Sequence, residues 1–201
     1  MTLETVSDIF AFVCKNADFT NSILFAETEV PEIRPEERDA IGSVERHLRE
    51  SYVGLLNACR DDMYARADDE LKATMGRNWN RDDSIWERGR VELPLLIESS
   101  YVEIAYAWIG EEETRLGQLS LVSEIWVQKR RRGALCDVES RLVNPVVITP
   151  DKKLRVIADI TEGARFQELA RSVVAPLWPF AIDVRSALLR QGKGPTRQGP
   201  S

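Results

Sequence analysis

The chain has 201 residues, of which 43% are hydrophobic and 30% charged, and its formal net charge is −6. These proportions are those of folded globular proteins and exclude a wholly disordered chain. The acidic balance works against broad, non-specific binding to nucleic acid, because the summed field repels phosphate.

The cysteines and the short apolar runs predict a soluble, cytoplasmic protein without a membrane partner. Cys14, Cys59 and Cys136 are odd in number and lack CxxC spacing, which indicates reduced thiols. No run approaches the roughly 20 apolar residues of a membrane span. The apolar run at 9–14 follows acids, where a signal peptide carries Lys or Arg.

Residues 1–93 are predicted to form a helical N-terminal region. The first helix is expected within residues 2–17, where apolar side chains recur at spacings of three and four. These side chains are Val6, Ile9, Phe10, Val13 and Cys14.

A second helical pattern starts at Pro35 and continues for about forty residues. It has two interpretations. Either the helix breaks at residues 60–62, where Asp61 or Asp62 caps a second helix, or one long arm packs on a partner subunit. The break is favoured, because a single-domain protein rarely needs so long a helix.

Residues 94–109 fit a helix and a strand equally well. Apolar residues at Ile97, Ile104 and Trp108 fit a helix that begins at Pro94, whereas the alternation from Val102 to Trp108 fits a strand. Periodicity leaves both open.

The chain beyond Gly110 is predicted to form two β-hairpins. Alternation in residues 116–128 and again in 134–143 predicts one hairpin whose tip is the basic run Lys129–Arg132, with Gly133 suited to positive φ. Alternation in residues 145–161 predicts a second, turned at the sequence PDKK.

The C-terminal part is predicted to hold one helix. It begins after Gly163 and ends at Pro176, and the sequence PFAIDV that follows is read as a short strand. Residues 191–201 are rich in Gly and Pro and are expected to be disordered. The candidate core aromatics are Trp108, Trp126 and Trp178.

Together these elements predict an α+β fold in one compact domain. The N-terminal helices pack on a mostly antiparallel β-meander of four or five strands, which a C-terminal helix closes. Residues 94–190 supply this sheet-containing core.

Complete catalytic and cofactor-binding motifs are missing from the sequence. His47 is the single histidine, and it lies among charges on a predicted helix surface, so neither a His-based triad nor a zinc site is supported. There is no GxGxxG or GxxxxGK[ST] motif for a nucleotide. No cofactor is therefore expected.

With a helix at 94–109, the order helix, three strands, helix and short strand resembles the core of the PD-(D/E)XK nuclease superfamily. The resemblance implies that Asp137 and Asp159 hold Mg²⁺, with Glu98 or Glu103 contributed by the first helix. Thr161 stands where the family has its lysine. The resemblance covers residues 94–184.

Two functional hypotheses follow. The first is a non-catalytic protein-binding module, an adaptor, inhibitor or assembly subunit that binds another protein or itself through the N-terminal helices. The alternative is a metal-dependent nuclease or a vestigial nuclease-like domain, with Lys129, Arg130, Arg131 and Arg132 on nucleic-acid phosphates. A pocket for a small ligand between sheet and helices is left open.

Overall fold

The computed structural model describes residues 3–16, 35–75, 90–94, 99–109 and 113–192. They form an α+β fold, which confirms the predicted class. The helices are α1 (Asp8–Lys15), α2 (Pro35–Arg66), α3 (Asp69–Met75), α4 (Gly133–Glu139) and α5 (Phe166–Gly192). The strands are β1 (Arg90–Pro94), β2 (Ser99–Ile109), β3 (Glu113–Ile125), β4 (Val147–Ile148) and β5 (Leu154–Asp159).

The five strands form one antiparallel sheet in the order β1-β2-β3-β5-β4. Side chains alternate between its faces, and Val102, Leu121 and Val156, which share one face, are each at most 1% exposed. These residues join a hydrophobic core to which α1, α2 and α5 also contribute. The predicted hairpin of β4 and β5 is confirmed, with Lys152 in its turn at φ 63°.

Residues 99–109 are strand β2, which decides between the two structures that periodicity allowed. Strand β2 pairs with β1 on one side and β3 on the other, so Tyr101 lies opposite both Glu92 and Glu124. A central strand gains ladder hydrogen bonds from two neighbours, and this pairing selects the strand where the local pattern is ambiguous.

The predicted break of the second helix at residues 60–62 is wrong, because α2 continues to Arg66. Asp62 does not cap a helix; its carboxylate pairs one turn onward with Arg66, at 2.7 Å from the Arg66 Nε. The cap lies at Asp68, whose Oδ1 accepts the Leu71 amide of α3 at 2.7 Å. The long helix packs mainly against α5.

The predicted hairpin with its tip at Lys129–Arg132 is also wrong. The basic run forms a 3₁₀ turn over Lys129–Arg131, and helix α4 follows directly. The apolar residues Ala134, Leu135 and Val138 are each at most 2% exposed, and they share one helical stripe that packs towards α5. Gly133 begins this helix and is not a turn residue of positive φ.

The C-terminal helix is longer than predicted, since α5 passes through Pro176 and Pro179 without ending. Each proline removes one helical N–H donor. The buried stripe nevertheless continues through Leu177, Val184 and Leu188, so packing of the later turns outweighs that loss, and no strand forms at PFAIDV. Gln191 and Gly192, where the predicted disordered tail begins, are instead the last residues of α5. The rest of that tail, from residue 193 onward, lies outside the described residues.

Helix α5 is also long and apolar enough, by length and composition alone, to cross a membrane. Half of its most apolar window is buried inside the protein, as is common for a core helix. Of the predicted core aromatics, Trp178 packs partly buried against the core, whereas Trp126 is 39% exposed. The side chain of Trp108 lies outside the described residues.

Helix α1 is fixed at its N-terminus by Ser7. The Ser7 Oγ accepts the Phe10 amide at 3.2 Å and lies 2.6 Å from Nε2 of His47 on α2. The chain before α1 is also paired, since the Val6 amide donates to the carbonyl of Ala164 at 2.8 Å. The single histidine therefore joins two helices.

Replacing Ser7 with Ala is expected to lower the free energy of unfolding by about 1 kcal/mol, because the N-cap of α1 loses its acceptor. The midpoint of urea unfolding measures this loss. The matched control is Ser43→Ala on the exposed side of α2, which should stay within about 0.5 kcal/mol of the parent. Equal effects at the two serines would contradict the role of the cap.

Candidate functional site

Two of the residues implied by the nuclease resemblance, Glu103 and Asp137, lie on different elements from those that the resemblance requires. Residues 99–109 are a strand and not the first helix, and Asp137 belongs to α4 and not to the second strand. Asp159 is the exposed last residue of β5, and Thr161 is exposed two residues later. The element order on which the resemblance depends is thus not observed.

Glu103 lies on β2 opposite Val122, and Asp159 lies opposite Ser120. The register places these two carboxylates on the same sheet face but on strands separated by β3. In the part of the chain that the structure describes, no group of three His, Cys, Asp or Glu residues is placed to hold a metal ion. The side chain of Asp137, like all of Glu98, is outside that part.

A buried carboxylate, Glu124, organises the sheet face that points away from the core. Its side chain is 1% exposed, although it carries a charge. The Tyr101 hydroxyl and the Lys153 Nζ both contact Oε2, the latter at 3.2 Å, and the Arg155 guanidinium contacts Oε1. We call Tyr101, Glu124, Lys153 and Arg155 the Glu124 network.

Strand register explains why these side chains meet. Tyr101, Glu124 and Arg155 are directly opposite one another on the three central strands β2, β3 and β5. Lys153 comes from the turn before β5, where Asp151 also contacts its Nζ at 3.2 Å. Opposite charges at facing positions stabilise a sheet, and a buried carboxylate requires such partners.

The network changes the proton affinity of its neighbours. Burial and the nearby Glu124 carboxylate together raise the pKa of Glu103, against the opposing effect of Arg90, Lys153 and Arg155. The folded state therefore binds the Glu103 proton more tightly than the unfolded chain does. Burial, followed by the hydrogen bond to Glu124, also raises the pKa of Tyr101, so its hydroxyl remains a donor.

The network has the chemistry of a structural ion cluster. Both oxygens of Glu124 are held by donors, of which two are cationic, so the carboxylate is poorly suited to accept a substrate proton. The lysine is held equally firmly: burial alone would lower the pKa of Lys153, but Glu124 and Asp151 outweigh it and raise that pKa.

The described cysteines that lie in the core are also poor nucleophiles. Cys14 and Cys59 are buried, and burial raises the pKa of the Cys14 thiol to about 12. Burial, with the nearby Asp62 carboxylate, raises the pKa of Cys59 as well. A nucleophilic cysteine reacts as the thiolate, which both sites disfavour.

Helix α1 has apolar side chains on both of its sides. Phe10, Val13 and Cys14 face the core and are at most 3% exposed. On the opposite side Ile9 is 42% exposed and Phe12 is 57% exposed. Residues three apart are neighbours on a helix surface, so these two form a small apolar patch.

The basic run is the other exposed feature. Lys129 and Arg130 are exposed, and Arg131 and Arg132 are half-buried. The Arg130 Nε donates to the Gln128 side chain at 3.0 Å. The basic run and the patch on α1 are two described surfaces with a composition suited to binding.

Comparison with known proteins gives no significant match: no family model, no curated protein and no solved structure resembles this chain closely enough to be counted.

Proposed function

We propose that the protein is a non-catalytic protein-binding module, and that the Ile9–Phe12 patch of α1 contacts its partner. The observation that carries the proposal is the exposure of Phe12, which is 57% exposed on a helix whose other side is packed in the core. Aromatic side chains are enriched at protein interfaces, because they bury a large apolar area with little loss of side-chain entropy.

The geometry of α1 favours binding without rearrangement. The helix is capped by Ser7 and joined to α2 through His47, so the patch is held in place before a partner arrives. A rigid surface loses little conformational entropy on association. Asp8 and Lys15 are exposed at the two ends of the helix and supply a polar rim around the apolar centre.

The internal chemistry of the protein is consistent with this role. The Glu124 network is satisfied by its own members, and the core thiols are protonated at neutral pH, so neither supplies a free reactive group. The partner is a protein, either a second copy of this chain or another polypeptide. The long helix α2 extends the same helical region, with Ile41 exposed by 45% near its beginning.

The double variant Ile9→Ser/Phe12→Ser is expected to weaken association by roughly 10- to 150-fold. Burying the exposed halves of these two side chains in an interface contributes about 1.5–3 kcal/mol to the binding free energy. Serine at both positions removes that contribution. Sedimentation velocity over a concentration series measures self-association, and quantitative co-purification from cell extract measures binding to other proteins.

The matched control is Val143→Ser, since Val143 is 65% exposed but lies outside the N-terminal helices. Proteins that depend on the patch are lost from the double variant and retained by the control. If both variants keep the wild-type oligomeric state and the same bound proteins, the assignment to α1 is wrong. Far-ultraviolet circular dichroism checks that both variants remain folded.

A further inference from the structure

A second surface lies between β3 and α4, where an exposed indole precedes the basic run. Trp126 is the first residue after β3 and is 39% exposed. The chain then turns through the 3₁₀ segment Lys129–Arg131, which begins with the Arg131 amide donating to the Gln128 carbonyl at 2.8 Å. We call Trp126 and Lys129–Arg132 the indole–cation surface.

Several other cations described in this acidic protein are paired with carboxylates. Lys153 and Arg155 bind Glu124, Arg141 lies 2.8 Å from Asp183, and Lys152 lies 3.7 Å from Glu139. No carboxylate of the described residues forms a salt bridge with Lys129, Arg130, Arg131 or Arg132, so this run places four such cations in succession.

The absence of pairing matters because the chain has more acids than bases, 33 against 27. Within the described part, neighbouring carboxylates are already engaged, since Glu124 holds its own cations and Glu139 faces Lys152. The Nε of Arg132 is buried and lacks a hydrogen-bond partner among the described residues. Four positive charges therefore remain to attract an anionic ligand.

We propose that the indole–cation surface binds single-stranded nucleic acid, with Trp126 stacking on a base and Lys129–Arg132 contacting consecutive phosphates. A polyanion satisfies the charges, and exposed aromatic side chains combined with cations are the means by which single strands are bound without sequence preference. An acidic peptide would satisfy the charges, but it supplies a stacking partner for the indole only where it carries an aromatic side chain, whereas every nucleotide carries a base.

The surface is independent of the proposed protein-binding patch. It lies on the connection from the sheet to α4, whereas the patch lies on α1, so either proposal can fail without the other. The net charge of −6 disfavours phosphate elsewhere on the protein. Contacts between cations and phosphates predict weaker association at high salt.

The proposal is tested by fluorescence anisotropy. A labelled 20-nucleotide single strand is titrated with the full chain, and the binding constant is measured at several salt concentrations. Because each neutralised phosphate contributes about −0.7 to the slope of log K against log salt, Lys129→Gln/Arg130→Gln should reduce that slope by about 1.4. Trp126→Ala should weaken binding roughly 5- to 150-fold with an unchanged slope, and Trp126→Phe should restore part of the loss.

The matched control is Lys152→Gln, which removes an exposed cation that faces Glu139. It should change neither the affinity for the single strand nor the slope of log K against log salt. The proposal is overturned if the protein does not bind the single strand at low salt. It is also overturned if the control loses as much affinity as Lys129→Gln/Arg130→Gln. Equal affinity for duplex and single strands, or binding of poly-glutamate instead of the oligonucleotide, also overturns it. Unchanged circular dichroism shows that each variant is folded.

Discussion

Glu124→Gln is expected to lower the free energy of unfolding by about 2–4 kcal/mol. The substitution keeps the shape of the side chain but leaves Lys153 and Arg155 facing a neutral amide in a largely buried position. Breaking a fully buried ion pair costs roughly 3–5 kcal/mol, and the expected loss is smaller because the two cations retain 21% and 17% exposure. The total stability of a domain is only about 5–15 kcal/mol.

The loss is measured as the urea midpoint with a check that the m-value is unchanged. Glu139→Gln is the matched control, because Glu139 also faces a lysine but its side chain is 45% exposed. Exposed pairs contribute about 0–1 kcal/mol, so the control should stay near the parent. A Glu124→Gln loss no larger than that of Glu139→Gln would show that the network does not stabilise the sheet.

A second variant separates the unpaired charges from the lost contacts. Replacing Glu124 with Leu and both Lys153 and Arg155 with Met removes all three charges together and fills the same space with apolar side chains. Such replacements of buried ion clusters are often neutral or stabilising. The triple variant should therefore be more stable than Glu124→Gln, although it carries more substitutions.

Gly54→Ala is expected to destabilise the protein by about 1–3 kcal/mol through overpacking. An added Cβ at Gly54 would lie 2.8 Å from Cε2 of Phe166, the first residue of α5, and Phe166 is only 3% exposed. The absence of a side chain at Gly54 therefore permits the close approach of α2 and α5.

Gly42 on the same helix is the matched control. A Cβ there meets no atom within 4 Å, so Gly42→Ala should stabilise α2 by roughly 0.5–1 kcal/mol, the ordinary gain from alanine in a helix. Opposite shifts of the thermal midpoint are expected for the two variants. A stabilising effect at Gly54 would mean that the α2–α5 contact is looser than described.

Regular alternation allowed β3 and β5 to be predicted. Leu121, Ile125 and Val127 face the core, as the period of two in β3 indicates, and Leu154 and Val156 do the same in β5. The first helix was predicted for the corresponding reason, since Phe10, Val13 and Cys14 keep helical spacing.

The errors arose where a short pattern fits two structures or where packing overrides a local signal. Cys136, Val138 and Leu142 keep the spacing of a strand, whereas Ala134, Leu135 and Val138 keep that of a helix, so the seven-residue α4 was predicted as part of a strand. Pro176 is a strong local stop signal, but the buried turns beyond it stabilise the continued helix.

The Glu124 network could not be derived from spacing. Tyr101, Glu124 and Arg155 are separated by 23 and 31 positions, and they meet only because the strand register places them opposite one another. Sequence patterns indicate which face of a strand is polar, but the register between strands is a property of the folded sheet. The exposure of Phe12 likewise depends on how α1 is oriented against the core.

Photocross-linking from position 12 tests the central proposal most directly. A benzophenone amino acid replaces Phe12 in the full chain, and the same group at the exposed Val143 serves as the control. The protein-binding account predicts a discrete cross-linked polypeptide from position 12, either a second copy or one partner, which the control does not capture. Identical products from both positions, or none from position 12, would contradict it.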